Sequence, residues 1–144
     1  MKNKPTPMKT TANYKMFLHD MSLDELQYNS SLWMSELEFI NFEVSFIKHL
    51  IKSYPIKSKI PNLFEHLQLF IQELDTINKE NNTITNNIQQ HTNLLSGMIE
   101  CDSLSCDNFY VVAHEKLAEE VFNYLQTYKK LKIQIYEYLT GIMD

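Results

Sequence analysis

Residues 33–54 read WMSELEFINFEVSFIKHLIKSY, and their apolar positions Trp33, Leu37, Ile40, Val44, Ile47, Ile51 and Tyr54 advance in steps of four and three. Such spacing places them along one face of an α-helix. The rhythm returns at Leu63, Leu67, Phe70, Leu74, Ile77, Asn81, Ile84, Ile88, His91, Leu95 and Met98. It returns again at Tyr110, His114, Leu117, Val121, Tyr124, Tyr128, Leu131, Ile135, Tyr138 and Ile142. Three long helices with matched seams make an all-α fold: an antiparallel up-down-up bundle with coiled-coil-like packing, which dimerisation or a partner helix would complete.

Local signals set the boundaries. Ser22 serves as the N-cap of the first helix, Glu25 closes a capping box, and Met21 is placed to staple onto Leu26. This helix, 22–54, must stop before Pro55, because the residue ahead of a proline is pushed out of helical geometry. Pro61 suits the first turn of a second helix over 61–96, and Gly97 suits a left-handed residue ending it. Between Asn78 and Asn93 six asparagines accompany only Ile84 and Ile88, so helix propensity falls and a kink there is an open alternative. A polar loop from Met98 to Asp107 leads into the third helix, 106–143, capped by Ser105 or Asp107. Residues 1–20, with Pro5, Pro7 and no sustained period, read as a flexible arm ahead of one domain over 21–144.

Composition narrows the function classes. With 44% apolar residues and two glycines in 144 residues, little of the chain suits strands or phosphate-cradling loops. All thirteen basic residues are lysine, which withholds the bidentate guanidinium fork from phosphate or guanine. From Ser22 onward seventeen acids face nine lysines, a balance that repels nucleic acid and anionic lipid. No stretch has the apolar length of a signal peptide core or of a membrane span, so the expected location is the cytoplasm, where Cys101 and Cys106 would stay reduced; a Cys101–Cys106 disulfide, sterically conceivable, is the alternative and needs an oxidising compartment.

In antiparallel helices, residues equally far from the connecting turn share a height. With the first turn near Ser58 and the second near Asp102, Asn81 to Thr85 fall level with Trp33 and with Val121 to Tyr124. A large indole opposite small polar residues is volume compensation in a packed core. Its functional alternative is a small-molecule pocket lined by Trp33, Glu36, Asn81, Thr85 and Tyr124. A lone seam asparagine such as Asn81 also fixes register.

His91 and His114 fall at one height on facing seams, near the end that carries Cys101 and Cys106. Two imidazoles and two thiols form the chain's candidate metal set, against the simpler reading of two seam histidines hydrogen-bonded to each other. The spacing matches no strong zinc signature, and no glutamate is followed three residues on by histidine, as a di-iron carboxylate bundle requires. Neither a nucleophile elbow nor a cysteine at a basic helix start is present, so no enzyme activity and no cofactor are expected.

The apolar content exceeds one seam per helix. Phe39, Phe42 and Phe46 lie beside the first seam, and Phe122 and Tyr136 beside the third. A three-helix core absorbs part of this surplus and leaves an aromatic patch for another surface to cover. The expected function is therefore non-enzymatic: protein–protein interaction or scaffolding, with a homodimer or a protein partner. Binding of a metal or small ligand at the His91 and His114 end is the alternative.

Overall fold

The computed structural model describes residues 22–53 and 60–143. Three helices follow one another: α1 over Leu23–Ser53, α2 over Leu63–Leu95 and α3 over Leu104–Ile142, with a 3₁₀ turn at Ser96–Glu100 between the last two. Among the described residues there are no strands. At 31, 33 and 39 residues the helices span about 45 to 60 Å each, at 1.5 Å per residue.

The reciprocal capping box at the start of α1 is present: Ser22 N–H donates to Glu25 Oε1 at 2.8 Å and Glu25 N–H to Ser22 Oγ at 3.3 Å. The expected Met21 staple and the arm over 1–20 lie outside the described residues. Pro61 takes a different role from the one expected. Asn62 adopts the left-handed conformation (φ 58°, ψ 21°), and Leu63 N–H reaches back to the Ile60 carbonyl at 3.4 Å. Proline followed by a left-handed asparagine is the signature of a type II turn, so Pro61 belongs to the turn and α2 starts at Leu63.

Gly97 departs from expectation too. None of the described glycines has positive φ, and the chain after Leu95 tightens into the 3₁₀ turn. A Cβ at position 97 would lie 2.6 Å from the Tyr110 hydroxyl, so the tip of that side chain would have to shift to admit one. The cap of α3 falls on Ser103 rather than Ser105 or Asp107. Ser103 is extended, and its Oγ accepts from Cys106 N–H at 3.2 Å. The asparagine-rich middle of α2 stays helical throughout. Thr83 and Thr92 satisfy themselves on carbonyls one turn back, those of Lys79 and Ile88, and Thr85 on the side-chain oxygen of Asn81.

The core is the one the rhythm marks. Leu26, Leu37, Val44, Ile47, Leu74, Ile88, Leu95, Val121 and Ile135 are buried. Asn29 pairs with His114 and Glu43 with Tyr128, both at an offset of 85 residues, so α1 and α3 run parallel in constant register. In the first hairpin Asn81 reaches Leu37 and Lys48 pairs with Asp75, which places its centre slightly beyond Ser58.

Cys101 and Cys106 are joined by a disulfide, which corrects the expectation of free thiols. Their Cα atoms are 5.4 Å apart, held by the turn that ends in the Ser103 cap. Cysteine usage therefore no longer speaks for a reducing compartment. Closing so short a loop is expected to contribute about 2 kcal/mol through the unfolded chain. Urea unfolding with and without a thiol reductant measures this, and superimposable curves would refute it.

Candidate functional site

Three places in the bundle, and one further cluster that ties α1 to α3, carry more than packing. The first is a polar layer near the start of α1. His91 Nε2 and His114 Nδ1 are 2.7 Å apart, and His114 Nε2 lies 2.7 Å from Asn29 Oδ1. A carboxamide oxygen only accepts, so His114 Nε2 carries the proton and His114 Nδ1 accepts from His91 Nε2–H. The Trp33 ring stacks on His114 with centroids 4.6 Å apart and planes 22° from parallel. Burial pulls both imidazoles below their ordinary range, His114 to about 3 with His91 beside it adding to the effect. Both rings are thus neutral at physiological pH.

The two histidines of the candidate metal set are therefore together, but each is turned to its neighbour, and the two sulfurs are spent on one another. Among the described residues no group of three or more His, Cys, Asp and Glu side chains is arranged to hold a metal ion.

The second place is the level of Asn81. Its Nδ2 donates to the Leu37 carbonyl on α1 and to Tyr124 Oη on α3, both at 2.9 Å, and Tyr124 Oη in turn donates to the Ile77 carbonyl at 3.2 Å. Thr85 donates to Asn81 Oδ1 at 3.3 Å. Burial pushes the Tyr124 phenol up to about 12. Of the five candidate pocket residues, Asn81, Thr85 and Tyr124 are brought together. Trp33 leans one turn toward the start of α1, as helical side chains do, and packs on His114, while Glu36 points to solvent. The hollow at this level, 350 Å³ in volume, is a groove between α2 and α3 that Ile84 and Tyr124 floor and Lys79, Glu80 and Glu120 rim.

One cluster was not anticipated. Glu43 accepts from Tyr128 Oη at 2.6 Å and from Lys132 Nζ at 2.8 Å, tying α1 to α3. Burial works to raise the Glu43 carboxyl, but the hydrogen bonds from Lys132 and Tyr128 and the lysine's charge outweigh it and hold the group below its ordinary value. The signal was a seam tyrosine, Tyr128, four residues from a lysine; only the α1–α3 offset, which two turns compound, identifies its carboxylate.

The third place is the outer face of α1. Phe39, Phe42 and Phe46 are 57%, 76% and 61% exposed, and Tyr28 and Leu32 are exposed on the same line. Each stands two residues from a buried position of the seam, about 200° around the helix, so this stripe is the pole opposite the core. Tyr136 continues the surface onto α3: it is exposed, and its ring lies 5.7 Å from the Lys132 amine that holds Glu43. Phe122, by contrast, is half-buried.

Comparison with family models, with curated proteins and with solved structures finds no match for this chain. None of the described helices is long and apolar enough to cross a membrane.

Proposed function

We propose that this chain is a non-enzymatic helical-bundle module that works by protein–protein association, through the outer face of α1. The observation that carries the reading is the line Tyr28, Leu32, Phe39, Phe42 and Phe46, exposed on the side of α1 that the bundle core does not use. Side chains of this size on one pole of a helix cost solubility unless a second surface covers them. Aromatic side chains also supply most of the energy at protein interfaces.

Supporting the non-enzymatic part, the buried polar groups bond to one another. His91 meets His114, Asn81 meets Tyr124, and Tyr128 meets Glu43. His91 and Tyr124 each edge a groove between α2 and α3, but His91 Nε2 is engaged with His114 and the Tyr124 hydroxyl with Asn81 and the Ile77 carbonyl. The acidic balance from Ser22 onward favours a protein surface over nucleic acid as the partner.

Native mass spectrometry of the protein isolated from its own host tests the reading. The expected result is a complex, with itself or with another chain, that Phe42→Ser dissolves while far-UV circular dichroism stays unchanged. A wild-type species that is always a lone 17.1 kDa chain would overturn it.

A further inference from the structure

Resting on the reading of α1 as an association face, we infer that its partner is a second copy of this chain, bound with the two α1 helices antiparallel about Phe42 and Phe46. Along the outer pole, positions 28, 32, 35, 39, 42, 46, 49 and 53 advance in steps of four and three, the spacing of a coiled-coil seam. The core seam on the other side has the same spacing, so α1 can pack on both sides at once. Ser35, His49 and Ser53 interrupt the outer seam toward its ends, leaving Phe39, Phe42 and Phe46 as its continuous aromatic centre.

The charges beside that seam choose the partner and its direction. Glu36 and Glu38 flank the half of the stripe nearer the start of α1, and Lys52 flanks the other end. Glu43, also on a flank, is already neutralised by Lys132. In an antiparallel pair, like flanks of the two helices face each other. Setting Phe42 of one copy against Phe46 of the other then brings Glu38 beside Lys52, twice by symmetry. A parallel pair would instead set the acidic halves of the two helices side by side, and like charges at such a boundary cost affinity. The sequence of α1 is thus complementary to itself only when reversed, which is the isologous pairing a two-fold axis requires.

In this register the two α1 helices overlap over 35–53, where Phe39, Phe42 and Phe46 offer on the order of 400 Å² per copy, about half of the ~800 Å² per partner of a stable interface, and the flanking residues supply the rest. Exposed Tyr136 lies along the flank that carries Glu43 and extends the same contact onto α3.

Sedimentation equilibrium of the full chain and of three charge variants decides the matter. Wild type is expected to be a dimer. Glu38→Lys and Lys52→Glu should each weaken it about tenfold, since each turns two attractions into repulsions. The combined Glu38→Lys, Lys52→Glu variant should return to within about threefold of wild type, because the swapped charges face each other again. Phe42→Ser should weaken the dimer by roughly thirtyfold or more. Tighter association of Glu38→Lys would show a parallel pair and overturn the inference. So would a double variant no better than either single one, while leaving α1 as an association face. A chain that is monomeric alone but held by a different protein in its host would also overturn it without touching the broader reading. A monomer in both settings would remove both.

Discussion

Lowering the pH from 7.5 to 5 is expected to remove about 2 kcal/mol of folding stability through His114 alone. The cause is the polar layer at the start of α1. His114 is fully buried, stacked on Trp33 and bonded to His91 and Asn29, and burial together with His91 holds its pKa at about 3. In the unfolded chain the same imidazole titrates near 6.5. Between those values the unfolded state binds a proton that the folded state refuses, so stability is full above about 6.5 and falls steadily as the pH drops toward 3. Carried to the lower limit, the loss approaches about 5 kcal/mol, a large part of the total stability of an ordinary domain. His91 is shifted in the same direction, also by burial, and adds to the loss.

Glu43 contributes acid sensitivity as well, but its carboxyl lies below the ordinary carboxylate range, so its share appears only at lower pH. The window from 6.5 to 5 therefore reports the histidines. Urea unfolding followed by circular dichroism at pH 7.5 and 5 measures the loss, with a His91→Gln, His114→Gln variant as the control. Two neutral amides preserve a hydrogen-bonded layer without a titratable group, so this variant should be nearly flat across the window. Equal pH dependence in both proteins would show that the layer is not the source.

The sequence made the fold readable because every level of signal agreed. Apolar spacing, the Ser22 capping box and the matched helix lengths all describe the same three helices. Where local readings failed, a competing use of the residue had won. Pro61 suits a helix start in isolation, but Asn62 after it completes a type II turn. Gly97 suits a left-handed cap in isolation, but its φ is not positive, and Tyr110 of α3 approaches the space a side chain would take. The first lay in the very next residue, whereas the second involves a partner on another helix, invisible to a local window.

The sites were legible where height alone decides contact, and less so where side-chain direction matters. His91 and His114 meet as the level of their seams implies, and Asn81 meets Tyr124 for the same reason. Trp33 shares a level with Asn81, yet its ring leans toward the start of α1 and stacks on His114. The α1–α3 register, which passes through two connections, was the least accessible from sequence, and the Glu43, Tyr128 and Lys132 cluster depends on it.

Asn81→Ala is expected to cost about 3 kcal/mol, most of it from one residue's role as a tie among three helices. Asn81 has no exposed surface, and its amide nitrogen holds the Leu37 carbonyl of α1 and the Tyr124 hydroxyl of α3 at once. Alanine removes both hydrogen bonds and opens a void in a close-packed core, which relaxes only in part. Leucine at the same position separates the two contributions. It restores the volume without the polar ties, so Asn81→Leu should recover more than half of the lost stability. What it should not recover is uniqueness, because an apolar seam tolerates sliding that a single buried asparagine forbids. Loss of chemical-shift dispersion for Tyr124 and Leu37 in Asn81→Leu, with helicity retained, is the expected signature. The cycle of Asn81→Ala with Tyr124→Phe should give a coupling of at least about 0.5 kcal/mol, since the two share a hydrogen bond. Additive losses, or an Asn81→Ala variant within about 0.5 kcal/mol of wild type, would mean that the apolar seams alone set the register of this bundle.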